Sequence, residues 1–277
     1  MRIGSDEHKH LFCESFLAAH RDYEPERLPW PDLSDTDLAR LRAIPFWRTA
    51  LAVETSAASL VCAFAKTIED PLLARAVALQ GQEEGRHAAL LRVMFARYGI
   101  DAAVRPPRPI VPSRQEFSDF GYEECLDSFF GFGLFGVARQ ARYFDEGFIA
   151  IFEPLLHEET QHIVFFVNWV AYERARAGRA VLTPLLTAYG YLRALGRLAR
   201  TARDAAHEGT GFAAVGSERV IAGLTLQRFL TSCQVMNEDF MSKIDPRLLR
   251  PRVIPAIGAA LLRFMPSARR AGAVAAQ

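Results

Sequence analysis

The chain is poor in cysteine. Its 277 residues include four, Cys13, Cys62, Cys125 and Cys233, and no two form a C-x-x-C pair. That spacing supports neither a zinc ribbon nor a rubredoxin-type iron site. Scattered cysteines in a chain without an export signal are expected as reduced thiols in the cytoplasm. Charge of one sign is also lacking. Lys and Arg number 33 against 32 Asp and Glu, for a formal net charge of +1, which gives no global attraction for nucleic acid or an acidic partner. Long apolar runs are missing too, because Arg, Glu or Pro interrupts each one well before the ~20 residues a membrane helix needs. The first residues, MRIGSDEHKHLF, are too polar for a secretory signal. No segment alternates polar and apolar residues over a useful strand length. Half the residues are hydrophobic, so a full core is available, and it has to be built from helices.

Residues 1–45 are polar and mixed, with LPWPD (Leu28 to Asp32) as a stiff connector and a short helix expected over Ser34 to Ile44. A helical pattern runs from Phe46 to about Thr67. Asp70-Pro71 opens a second helix, with Pro in the tolerated first turn, and Gly99 ends it after Tyr98. Asp101 to Pro112 carries four prolines and reads as a loop or crossover. Ser113-x-x-Glu116 is a capping box for a third helix to about Arg142. A break over Tyr143–Gly147 precedes a fourth helix that ends near Gly178. Two more are expected, near Leu182–His207 and Glu218–Lys243, and residues 246–277 read as a basic tail. Four long helices with one long connection over residues 46–178 form a bundle, with additional helices over 179–245 packed on it. The fold class is all-α.

Two motifs stand out. Glu83-Glu84-Gly85-Arg86-His87 lies in the second helix and Glu158-Glu159-Thr160-Gln161-His162 in the fourth, both Glu-Glu-x-x-His. Glu84 with His87, and Glu159 with His162, are three apart and share a helix face. A carboxylate and an imidazole on one face can bind a metal ion, and two such pairs on facing helices can bind two. Both pairs fall on mostly apolar stripes (Leu73, Val77, Gln80, Leu91, Met94 and Tyr98; Phe152, Leu155, Phe166 and Trp169). Unpaired carboxylates buried there would cost several kcal/mol or more, a cost that bound cations remove. The competing reading is that arginines such as Arg86 or Arg139 satisfy them.

The first and third helices supply further acids. Glu54 is the sole acid between Phe46 and Ile68 and precedes Glu84 by 30 residues. With a turn near position 69 the two meet at one level, roughly 22 Å from the turn at 1.5 Å per residue. The same arithmetic from a turn near 144 leaves three choices for the partner of Glu159: Asp127 is best spaced, Glu124 lies one turn away on the same face, and Glu123 is also possible. Val53-Glu54-Thr55 and Leu126-Asp127-Ser128, each followed by its own Glu-Glu-x-x-His, make an internal repeat.

These residues resemble the ferritin-like di-iron carboxylate superfamily, most closely its soluble oxidase and oxygenase branch. The resemblance covers about residues 46–178. It implies two iron ions, with manganese or a mixed pair as the alternative, held by Glu54, Glu84, His87, Asp127 or Glu124, Glu159 and His162. It also implies that Glu83 and Glu158 are outer acids that orient the histidines. A glutamate is usual at the third-helix position, which leaves Asp127 in question.

The run Phe129-Phe130-Gly131-Phe132-Gly133-Leu134-Phe135-Gly136 places three glycines within the third helix, each unfavourable there by about 1 kcal/mol. Phe129, Phe132, Gly133, Phe135 and Gly136 read either as a pocket for dioxygen and an apolar or aromatic substrate, or as tight helix packing in a phenylalanine core. Arg193, Arg197, Arg200 and Arg203 form a basic stripe that reads as a solvated face or as a dock for a carrier protein or a phosphate. His8, His10 and His20 are expected to be exposed. The functional expectation is an oxygen-activating enzyme that hydroxylates, N-oxygenates or desaturates a small substrate, takes electrons from an external donor and works as a homodimer. A peroxide-removing di-manganese or di-iron protein and a non-enzymatic iron-binding bundle are the alternatives.

Overall fold

A computed structural model describes residues 1–101, 111–207 and 224–265. Among them the regular structure is helical, with no strand. The helices are α1 (Asp6–Ala19), α2 (Asp35–Ala43), α3 (Trp47–Ala65), α4 (Pro71–Tyr98), α5 (Arg114–Gln140), α6 (Glu146–Ala150), α7 (Glu153–Arg176), α8 (Thr183–His207), α9 (Leu226–Ser242) and α10 (Val253–Phe264). None of the described helices is long and apolar enough to cross a membrane. The expected crossover falls largely on residues 102–110, which lie outside the described residues, as do the first turns of the helix expected from Glu218 and the tail from 266.

Local chemistry sets the ends of the long helices. Asp70 accepts hydrogen bonds from the amides of Leu72 and Leu73 at the start of α4, and Gly99 closes that helix in the left-handed region at φ 62°, where glycine carries no Cβ penalty. Ser113 caps α5 through the Glu116 amide at 3.1 Å. Among the described helices, α3 and α4 share the most extensive contact. Gly81 permits this, because a Cβ there would lie 2.6 Å from Cys62 Sγ and 2.8 Å from its backbone nitrogen.

Helices α3, α4, α5 and α7 carry the central layer. Two apolar clusters flank it. One gathers Phe64, Phe117, Phe165 and Trp169 with α1, α8 and α9, and the other gathers Trp30, Leu51, Leu91, Met94 and Phe152.

Two parts differ from the sequence reading. Residues 1–45 are more than a polar extension: Phe12, Cys13 and Phe16 of α1 are buried where that helix packs along α4 and α7. Residues 253–264, read within a basic tail, form α10, which packs on α9. The four cysteines are free thiols, and Cys13, Cys125 and Cys233 are buried.

Candidate metal centre

Glu54 of α3, Glu84 and His87 of α4, Glu124 of α5, and Glu159 and His162 of α7 converge between the two apolar clusters. Glu54, Glu84, His87 and Glu159 offer ligand atoms that all lie within 4.8 Å of one another, and so do Glu84, Glu124, Glu159 and His162. Glu84 and Glu159 belong to both groups. His87 Nδ1 lies 3.2 Å from Glu159, 3.5 Å from Glu54 and 3.7 Å from Glu84. His162 Nδ1 lies 3.1 Å from Glu84, and the two imidazole centroids are 5.6 Å apart.

These close approaches are not aligned as hydrogen bonds. His87 Nδ1, His162 Nδ1, Glu84 Oε2 and Glu124 Oε2 are all buried without a hydrogen-bond partner. An orphaned buried polar atom costs about 1–3 kcal/mol. Four of them in one cluster, on imidazole and carboxylate groups, match the donor set of a metal ion. The arginines that could have satisfied these acids go elsewhere: Arg86 pairs with Glu158, and Arg139 with Glu146 and Glu153.

A second layer holds the imidazoles crosswise. Nε2 of His87 donates to Glu158 at 2.9 Å, and Nε2 of His162 donates to Glu83 at 2.9 Å. Each Glu-Glu-x-x-His motif therefore supplies the acid that orients the histidine of the other. Glu158 also accepts from Arg86 and, at 3.3 Å, from the hydroxyl of Tyr23. Glu83 accepts from His20 Nδ1 at 2.7 Å. Ser128 donates to Glu159 at 3.2 Å. Sequence reasoning missed His20, Tyr23 and Ser128 as parts of this layer. Ser128 alone carried a signal, its place in the Leu126-Asp127-Ser128 repeat.

Electrostatics follow from this packing. Burial alone would lower the pKa of both histidines. For His87 the surrounding Glu158, Glu159, Glu54 and Glu84 outweigh it and hold the group well above its usual range. For His162, Glu84 and Glu83 outweigh it and raise the group to about 10. Burial, then the like charges of Glu159 and Glu84, push Glu124 well above the carboxylate range. Burial raises Glu54 to about 7 against the pull of His87. Burial opposes ionisation of Glu84 and Glu159 as well, but the histidines outweigh it and both are held low. The protein's own charges thus favour protons on both imidazoles and on Glu124, and a cation entering the cluster would displace them.

Asp127, the best-spaced acid by hairpin arithmetic, does not join the cluster. Its side chain is exposed, and Glu124, one turn earlier, takes the place. Glu123 turns to Arg197. The expected pocket also changes. A Cβ on Gly133 would lie 2.2 Å from Cys233 Sγ, and one on Gly136 would lie 2.4 Å from Ser232 Oγ, so these glycines seat α9. Phe132 packs on Phe240 at 4.6 Å and Phe135 on Phe152 at 5.4 Å, and Phe129 is buried near Gly258 of α10. Packing accounts for all five residues. Gly131 differs: it lies two turns from Glu124 on the same face, and no described atom comes within 4 Å of where its Cβ would be.

The cluster is closed around its imidazoles, Glu84 and Glu124 and more open at Glu54 and Glu159. His87 and His162 have no exposure, whereas the Glu54 and Glu159 side chains keep 19% and 12%. A separate cleft of about 540 Å³, lined by Phe64, Leu73, Arg114, Trp169 and Arg176 among others, contains none of these ligands.

In the arginine stripe, Arg193 holds Asp119 and Arg197 holds Glu116 and Glu123. Both are committed to α5, so a carrier acid would have to displace existing ion pairs. Arg200 and Arg203 remain exposed. His8 is fully buried with its Nε2 3.1 Å from Asn168 Oδ1, because α1 lies against α7. Of the three N-terminal histidines expected to be exposed, His10 and His20 are, although His20 also bonds to the buried Glu83. Comparison of the chain with family models, curated proteins and solved structures found no match.

Proposed function

We propose that this chain is a ferritin-like di-metal protein that holds two iron ions and activates dioxygen to oxidise a small, apolar or aromatic substrate. The observation that carries this reading is the set of orphaned imidazole nitrogens and carboxylate oxygens gathered in one buried cluster. Charge supports the count: four ligand carboxylates, when ionised, balance two divalent cations. Glu54 and His87 would hold one ion, Glu124 and His162 the other, and Glu84 and Glu159 would be shared. Mixed carboxylate and imidazole donors suit iron, with manganese or a mixed pair next.

Two reduced irons so held would supply the electrons and open coordination positions that dioxygen chemistry needs. The chain's own residues do the rest. Glu158 and Glu83 fix the tautomers that turn both Nδ1 atoms inward. The flanking apolar clusters exclude water above and below the layer. Substrate would approach from the partly exposed side at Glu54 and Glu159, where Asp127 is exposed and Gly131 leaves room. Electrons for repeated turnover would come from an external donor.

Elemental analysis of the purified protein beside a His87→Ala, His162→Ala double variant tests the reading. About two irons per chain are expected, lost in the variant, with reductant-dependent oxygen uptake by the loaded protein. Bound manganese with peroxide turnover would move the assignment to a peroxide-removing protein. No metal after anaerobic reconstitution with ferrous iron would overturn it.

A further inference from the structure

The N-terminal segment reaches the outer layer of the centre. Phe12 and Phe16 of α1 are buried, and the Phe16 ring lies 5.9 Å from the ring of His162. The buried contact between His8 and Asn168 pins the start of the helix to α7. These anchors fix where α1 ends, and at that end the partly exposed side chain of His20 reaches the buried Glu83.

Glu83 is 1% exposed. One of its oxygens faces His162 Nε2 at 2.9 Å and the other faces His20 Nδ1 at 2.7 Å. Its counterpart Glu158 is held by Arg86 and Tyr23 instead, and Arg86 stays 3.8 Å from Glu83. The two outer acids are thus steadied by different groups, Glu158 by a permanent cation within the bundle and Glu83 by a histidine on the N-terminal segment. A carboxylate steadied on one oxygen presents the other in a fixed direction. That direction sets the ring plane of His162, and so where its Nδ1 points.

Building on the metal-binding reading above, we infer that His20 is a positioning residue for His162, acting through Glu83 on the metal position that His162 shares with Glu124. Loss of an outer-layer partner typically weakens metal binding about 10–100-fold. Because Arg86 and Tyr23 serve the other half, the loss falls on one of the two positions.

Cobalt(II) titration of the metal-free, full-length protein, followed by its visible absorption and by chelator competition, tests this. In His20→Ala, one of the two cobalt ions is expected to bind about 10–100-fold more weakly while the other is unchanged. His20→Asn places an amide N–H near the position of Nδ1 and is expected to restore tight binding. Thermal unfolding of the metal-free variants separates this effect from a loss of fold. The inference is overturned if His20→Ala binds both ions as tightly as the wild type, if both weaken together, or if His20→Asn fails to restore the weakened one. A wild-type chain that binds no cobalt would instead overturn the metal reading itself, and this inference with it.

Discussion

Glu158 and His87 stand 71 residues apart in the chain, yet Glu158 Oε2 and His87 Nε2 are 2.9 Å apart. With the reciprocal pair of Glu83 and His162, this means that neither Glu-Glu-x-x-His motif is complete alone. Each donor set forms only when α4 and α7 are packed. Glu158→Gln keeps the size of the side chain and an acceptor oxygen but removes the charge that makes His87 a better donor to a metal. Metal affinity in that variant is expected to fall by about 10–100-fold, read by competition with a chelator. Undiminished affinity would show that the crosswise bonds are incidental.

At the third-helix position of the proposed centre, two neighbouring acids differ sharply. Glu124 is buried with one oxygen unpartnered, and Asp127 is exposed. Glu124→Ala is expected to lose at least one metal ion per chain in elemental analysis. Asp127→Ala should retain the wild-type content. The reverse result would return the ligand role to Asp127.

The reason Asp127 looked right is geometric. The first hairpin is simple: α3 ends at Ala65 and α4 begins at Pro71, so counting from the turn aligns Glu54 with Glu84. The second hairpin is not. Glu159 lies near the start of α7, whereas Glu124 lies more than four turns from the end of α5. The intervening segment with α6 runs back beside α5, and Phe152 already packs on Phe135. Counting from a single turn cannot register that return. The helix boundaries at Asp70, Gly99 and Ser113 were legible because caps are local chemistry. The two Glu-Glu-x-x-His motifs were legible because three-residue spacing is a property of one helix. Helix α1 was not, because its anchors Phe12, Cys13 and Phe16 sit in a polar stretch. His20 was not either, since its meaning depends on an acid 63 residues away.

The two helical glycines Gly133 and Gly131 should respond oppositely to alanine. A methyl at 133 would meet Cys233 Sγ at 2.2 Å and the Cys233 backbone at 3.0 Å. Overpacking of that kind costs about 1–3 kcal/mol, which exceeds the helix-propensity gain of about 1 kcal/mol over most of its range. A methyl at 131 meets open space, so the propensity gain remains. Thermal unfolding is therefore expected to place Gly133→Ala below the wild type and Gly131→Ala at or above it. A Gly133→Ala variant as stable as the wild type would mean that α9 does not seat there.

Asp119 ties α8 to the bundle and gives the fold an acid-sensitive joint. It has no exposure and accepts from Arg193 Nε at 2.9 Å and from Gln115 at 2.9 Å, with Arg193 Nη2 at 2.5 Å from its other oxygen. Burial pushes its pKa up, but the bonds from Arg193 and Gln115 outweigh it and hold the carboxyl below its ordinary value. A depressed folded pKa means that the ionised group stabilises the fold above the unfolded value of about 4, and that this contribution fades as the pH falls through the folded pKa. Asp119→Asn should therefore cost about 2 kcal/mol at pH 7, a buried-pair penalty reduced because Arg193 is partly exposed. The gap between variant and wild type should close in acid. Urea unfolding at pH 7 and at a series of pH values below 4 measures both limits. A gap that stays constant or widens on acidification would show that the Asp119 charge does not hold α8 in place.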